Sequence, residues 1–305
     1  MKRMTARWIA YGFTLILIGG GSAAGQSLVQ SPYVGARNIA LGNSDIGGIH
    51  DMSSMYENPA AIAFLENPSV VLNHIQGEDN EMQENIAFPL LYSRYQMLAF
   101  GAEFYSLGEL TTSKYTKRYA VGYDFVFASK INSTMSLGGR VSLRRGFVAH
   151  MTNATAASYA FGFEYSPDRE NSYGLTFGGL GTGIGFPTGY TVVTPIQTVL
   201  PRVLQVGATL RLPGEQTLQP VDVVLALAAE KVFGTSGVDY MGGIEYYPVH
   251  FLALRFGYVS GPVMSGGRYG LGLRVGAFHL DAAVYPLKEG GSAVLFKQIS
   301  VSMEF

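Results

Sequence analysis

Gln298-Ile299-Ser300-Val301-Ser302-Met303-Glu304-Phe305 closes the chain, and its reading decides the fold. Ile299, Val301, Met303 and Phe305 are apolar, whereas Gln298, Ser300, Ser302 and Glu304 are polar. A period of two places the two sets on opposite faces of one β-strand. The same alternation recurs upstream. Met135, Leu137, Val141 and Leu143 oppose Ser136, Arg140, Ser142 and Arg144, and Leu252, Leu254, Phe256 and Tyr258 oppose Arg255 and Gly257. Tyr269, Leu271, Leu273 and Val275 oppose Arg268, Gly270, Gly272 and Arg274.

A soluble sandwich also alternates, but its wet face is usually rich in Lys and Glu. Here the polar face is Gly, Ser and occasional unlike charges. Tyrosines (Tyr92, Tyr105, Tyr119, Tyr165, Tyr246, Tyr258, Tyr269) recur at the ends of the apolar stripes, as aromatic girdles do at two membrane interfaces. The chain is only 14% charged, has a mean hydropathy of +0.18, and carries no later apolar run long enough for a membrane helix. Fold class is therefore read as all-β, an antiparallel transmembrane barrel of about fourteen strands over 69–305, from 69–75 to 294–305. An even number puts both chain ends on one side. Short turns at 93–94, 248–249 and 276–277 alternate with longer connections at 76–83, 107–116, 145–155, 181–200 and 286–293.

The start of the chain reads as an export signal over 1–25. Lys2, Arg3 and Arg7 precede an apolar run at 8–18 and a small-residue tail, with cleavage expected after Gly25 or, as the rival, Ala24. No cysteine is present, so neither a lipid anchor nor a disulfide is expected. Export and surface pattern together place the chain in the outer membrane of a Gram-negative bacterium, with membrane lipid as one partner. The terminal Phe305 is the signature that such barrels present to their assembly machinery. A net charge of −1 argues against a nucleic-acid partner.

Residues 26–68 do not read as strand and are expected to form a plug with a short helix. Asn58 suits a helix N-cap and Pro59 the first helical position, with two turns over 60–65. The run Gly35-Ala36-Arg37-Asn38-Ile39-Ala40-Leu41-Gly42, a later Asp51-Met52-Ser53, and Asn58-Pro59-Ala60 together resemble the N-terminal region of the FadL-type outer-membrane superfamily. Within it, Gly243-Ile244-Glu245-Tyr246-Tyr247-Pro248 and Gly270-Leu271-Gly272-Leu273 are similar to the PorV/PorQ family. The FadL resemblance implies passage of fatty acids or other hydrophobic molecules. The PorV/PorQ resemblance implies a type IX secretion role, with partners that are exported proteins bearing a C-terminal sorting domain. In place of Gly-Leu after Asn-Pro-Ala the chain has Ala61-Ile62-Ala63.

Chemistry-bearing patterns are sparse. His50, His74, His150, His250 and His279 lack ligand spacing, so no metal site is expected. No Gly-x-Ser-x-Gly elbow occurs, and Gly179 to Gly185 lacks the Lys of a phosphate loop. Neither a catalytic residue nor a cofactor is assigned, and the chain is read as a non-enzyme. Two groups remain as candidates. Glu103, Asp124, Arg140, Glu164, Glu230, Glu245, Arg255, Arg274 and Asp281 fall on the inward face, where mixed signs favour ion pairs over a bare polar channel. The connection at 181–200 carries Ile184, Phe186, Tyr190, Val192 and Ile196, apolar enough to contact a greasy ligand or partner or to fold into the barrel mouth.

Deletion of Phe305 should impair assembly. Cell fractionation with a heat-modifiability gel checks this: loss of the folded band is expected, and a normal folded band counts against it.

Overall fold

The computed structural model describes residues 34–48, 51–77, 81–109, 117–148, 154–167, 174–182, 186–188, 203–212, 222–233, 235–262, 265–289 and 292–305. The expected export signal lies outside them. Three short helical pieces come first: α1 (Ala36–Ala40), α2 (Ser54–Glu57) and the 3-10 turn η1 (Ala61–Phe64).

Strands follow in near-unbroken succession. These are β1 (Ser69–Gln76), β2 (Glu81–Tyr92), β3 (Gln96–Glu109), β4 (Lys117–Lys130), β5 (Met135–Val148), β6 (Ala154–Tyr165) and β7 (Gly174–Thr182). After the short β8 (Phe186–Thr188) come β9 (Val203–Leu212), β10 (Asp222–Val232), β11 (Asp239–Val249) and β12 (Leu252–Ser260). The last three are β13 (Ser265–Val275), β14 (Phe278–Glu289) and β15 (Ser292–Glu304).

Every long strand has two antiparallel neighbours. The ring is closed by β1 on β15, from Ser69↔Glu304 to Gln76↔Lys297, and by β5 on β6, from Met135↔Tyr165 to Gly146↔Ala154. β8 continues the line of β7 along β6: Ala160 pairs with Thr182, and Ala157 with Phe186. The two ladders differ in register by one residue. Fourteen long strands thus make a barrel without a free edge, the condition for a sheet in lipid, where no water can satisfy an unpaired amide.

The faces are inverted relative to a soluble barrel. Leu227 is 68% exposed and Val275 71%, whereas Asp124, Glu164 and Glu245 are fully buried. Outward side chains are Leu, Val, Ile, Phe and Tyr; inward ones are Ser, Asn, Gln, Gly, Ala and charges. The terminal strand behaves as its alternation requires: Gln298, Ser300 and Ser302 are buried, and Ile299, Val301 and Met303 exposed. Phe305 donates its N–H to the Pro68 carbonyl at 3.1 Å and meets Tyr92 edge-on at 6.5 Å. Both ends of the barrel domain therefore lie on one side.

Three expectations need correction. The connections placed at 76–83, 107–116, 145–155 and 286–293 are partly wall, since β14 runs to Glu289 and pairs there with Ser292. The β14–β15 ladder continues past the point where Pro286, Lys288 and Glu289 interrupt the apolar alternation of the sequence. Tyr105 is on the inward face with Gly101 and Glu103, opposite buried Gln83, and belongs to no girdle. The helix expected over 60–65 is a single 3-10 turn, and a helix not expected from the sequence, α1, forms inside the Gly35–Gly42 run.

Candidate functional site

The described residues of 34–64 lie inside the ring, almost wholly buried, and touch inward faces of β1 to β6 and β9 to β15. Their local shape follows from the sequence. Gly35 sits at φ 101°, outside the range L side chains favour, and starts α1. Gly42 at φ 75° ends it: its N–H bonds the Ile39 carbonyl at 2.9 Å, and the Asn43 N–H bonds that of Asn38 at 2.8 Å. That pair of bonds is a Schellman closure, which needs a left-handed residue where Gly42 stands. Farther on, Asn58 Oδ1 accepts the Ala60 N–H at 3.1 Å and so braces the chain into η1.

Why this segment fits is written on the wall as glycine. Inward Gly138, Gly243 and Gly257 face the backbone of Pro59, of Leu41 and of Leu41–Gly42, and a Cβ there would come under 3.0 Å. Gly101, Gly162, Gly207 and Gly270 stand as close to Tyr56, Asn58, Ile46 and Ala40. Backbone cannot yield as a flexible side chain can, so a methyl at Gly257 would push the segment off the wall.

Charge then fixes the segment at two places. Arg37 pairs with Asp45 at 2.6 Å and with Glu245, to which its Nε also donates at 3.0 Å. Glu245 accepts from Arg255 at 2.6 Å, and Arg255 donates to Asp281, also at 2.6 Å. Arg255 reaches β14 by crossing β13 at Gly272, where a Cβ would stand 2.5 Å from its guanidinium. The result is an alternating chain, Asp45–Arg37–Glu245–Arg255–Asp281, from segment to wall.

A second group occupies β3 to β5. Arg144 pairs with Glu103 at 2.7 Å across Gly122 of β4, and lies 3.7 Å from Asp124, which also accepts from Ser142. Arg140 donates to the Tyr56 carbonyl at 2.8 Å and to that of Met55 at 3.3 Å, and covers the Tyr56 ring at 5.6 Å. Removing one member of such a buried set typically costs about 3–5 kcal/mol, because its partner is left charged and dry.

Towards the strand ends far from Phe305, one inward arc is apolar and aromatic instead. Ile75 of β1, Phe296 of β15 and Tyr285 of β14 cluster with Ala36, Ile39 and Ala40 of α1. The Phe296 and Tyr285 rings stack at 5.7 Å, and the Arg268 guanidinium lies 5.4 Å from the Tyr285 ring. Gln83 of β2 continues the arc, paired in register with Ile75 on one side and Tyr105 on the other.

The sequence-predicted residues divide accordingly. Gly35, Ala36, Arg37, Leu41 and Gly42 meet β11 to β15, while Asn58, Pro59 and Ala60 meet β5 and β6. Asn58 Nδ2 donates to the Phe163 carbonyl and to Glu164, both at 2.8 Å. Eight of the nine inward charges (Glu103, Asp124, Arg140, Glu164, Glu230, Glu245, Arg255, Asp281) are buried or nearly so; Glu103, Asp124, Arg140, Glu245, Arg255 and Asp281 lie in Arg–carboxylate sets, and Glu164 accepts from Asn58. Arg274 differs: its side chain is 58% exposed at the Phe305 end, where it pairs with Glu304 at 3.2 Å. Of the apolar connection, Phe186 belongs to wall strand β8, and Ile184, Tyr190, Val192 and Ile196 lie outside the described residues. Asp45, Glu57, Gln83, Arg144, Arg268, Tyr285 and Phe296 were missed. Arg144 and Arg268 stood on polar faces already read as inward, so parity alone identifies them; Tyr285 and Phe296 are aromatic and carry no such mark.

Fold and lumen define a transmembrane β-barrel with a polar interior crossed by its own N-terminal segment. No family model and no curated protein matches the sequence. Solved structures do match in fold. The toluene transporter TbuX of Ralstonia pickettii aligns at TM-score 0.56 and 12% identity, covering 89% of this chain and 98% of that one. The P. putida toluene transporter TodX aligns at TM-score 0.54 and 12% identity, covering 89% and 98%. The monoaromatic hydrocarbon channel CymD aligns at TM-score 0.56 and 12% identity, covering 87% and 97%.

Within the segment, Glu57 is buried and its Oε1 has no hydrogen-bond partner among the described residues. Burial, reinforced by the Asp45 and Asp51 carboxylates, holds its carboxyl well above the usual range, although Arg37 and Asn38 pull the other way. The seated segment thus binds a proton that a released one gives up near pH ~4.3. Seating is fully supported below that value and weakens as pH rises towards the seated one, by up to about tenfold per unit. Protease sensitivity of the segment should therefore rise from pH 5 to pH 8 in the native chain and stay flat in Glu57→Gln. An unchanged pH profile in the variant contradicts this assignment.

Proposed function

We propose that this chain is a non-enzymatic outer-membrane barrel that passes small hydrophobic molecules. The observation that carries the reading is the arc of Ile75, Phe296 and Tyr285. The other inward apolar clusters of the wall are aliphatic, as at Val71, Met97, Val126, Met241 and Val259, whereas this one carries two stacked aromatic rings and offers a greasy solute a place to leave water. About 25 cal/mol per Å² of apolar area removed from water favours entry. The N-terminal segment forms the floor of that arc through Ala36, Ile39 and Ala40, so a bound solute would meet the segment before the far mouth.

The fold likeness to toluene transporters supports the same reading, as does the FadL-type resemblance of Gly35-Ala36-Arg37 and Asn58-Pro59-Ala60. Secreted-protein docking, the role implied by the PorV/PorQ resemblance, rests on short motifs that here serve packing: Gly243 and Gly270 are contact points for Leu41 and Ala40. The same glycines serve a passage protein equally well.

The test is uptake of radiolabelled toluene by outer-membrane-intact cells with and without the chain. Several-fold faster uptake is expected, returning to background in Phe296→Glu assembled at normal level. Uptake equal to the barrel-free control, with secreted β-domain proteins co-purifying from detergent, contradicts the proposal.

A further inference from the structure

Gln83 stands apart from the polar groups around it. It is 2% exposed, and neither its amide nitrogen nor its amide oxygen has a hydrogen-bond partner among the described residues. One step farther down the same strands, the polar residues satisfy one another. Asn85 Nδ2 donates to the Tyr56 hydroxyl at 2.7 Å, Asn73 Nδ2 donates to Asn85 Oδ1 at 3.1 Å, and the Ser300 hydroxyl donates to Asn73 Oδ1. The fold evidently can satisfy buried amides in this part of the wall, and leaves one out. That one sits beside the apolar arc: its register partner Ile75 packs with Phe296 and Tyr285.

An amide presents two donors and one acceptor, and leaving both ends dry is costly. A hydrocarbon in the arc would leave Gln83 unpaired. A carboxylate could accept from the nitrogen but would turn lone pairs towards the amide oxygen. A neutral hydroxyl answers both ends, donating to Oε1 and accepting from Nε2. The stacked rings and Ile75 provide for the apolar body to which the hydroxyl is attached.

Resting on the passage reading above, we infer that the arc is selective for small aromatic alcohols of the phenol type, with Gln83 reading the hydroxyl and the Phe296–Tyr285 pair holding the ring. Discrimination then lies in an unpaired buried amide rather than in pocket volume, the arrangement that separates ligands differing by one polar group most sharply.

The experiment uses the purified full-length barrel in detergent and titrates 4-methylphenol and p-xylene, which differ by hydroxyl against methyl. Gln83→Leu should weaken 4-methylphenol about tenfold while leaving p-xylene unchanged or tighter, within the roughly five- to hundredfold range expected for one buried amide. Gln83→Met, of similar length, repeats the test if the leucine variant does not assemble. A Gln83 variant that shifts both ligands equally, or neither, overturns the inference and leaves passage standing. Failure of the native, heat-modifiable protein to bind either ligand overturns passage itself, and this inference with it.

Discussion

Arg37 is the side chain on which the interior depends. It stands on a five-residue helix held between two glycines and faces two carboxylates at once, Asp45 of its own segment and Glu245 of the wall. Its second carboxylate is shared with Arg255, which spans β13 to reach Asp281. No member can be removed without leaving a neighbour charged and dry. A network of this kind adds little net stability over apolar packing but specifies one arrangement. Here the arrangement is the seat of the segment in the ring.

The same economy governs the glycines. Beside bonded polar side chains and small aliphatic ones, the inward face holds glycines that each admit something: the segment's backbone at Gly138, Gly243 and Gly257, or an arginine in transit at Gly122 and Gly272. Apolar contacts hold the segment at three places, as where Met52, Met55 and Ile62 pack on Val71, Met97 and Val126. Hydrogen bonds add to that packing, such as Ser136 to the Ala60 carbonyl at 2.8 Å and Gln205 to that of Asn43 at 3.0 Å. The arc at Ile75, Phe296 and Tyr285 differs from the other inward apolar clusters in placing aromatic rings on the wall.

Much of this was legible beforehand. Fourteen strands and their parity follow from alternation, because in lipid the outward face must be apolar at nearly every second residue, and Val301 or Leu271 has no other place to go. What alternation cannot convey is contact across the lumen. Arg37 and Glu245 are far apart in sequence, and nothing local announces their pairing. Strand ends were misjudged where Lys288 and Glu289 continue the ladder past the apolar alternation. Tyr105 was placed in the girdle because its residue type suited a membrane interface, although its parity with Glu103 turned it inward. Asn58 was read as a cap, and its carbonyl oxygen does brace Ala60, but its amide nitrogen bonds β6 at Phe163 and Glu164, a tertiary role beyond local sequence.

Planar-bilayer conductance of the native chain beside Arg37→Met tests the central account most directly. A segment locked in the lumen by Arg37 predicts a native barrel that is nearly silent and a variant with frequent, well-resolved openings at equal protein insertion. A native barrel with steady large conductance, or a correctly assembled Arg37→Met barrel as silent as the native one, would contradict it.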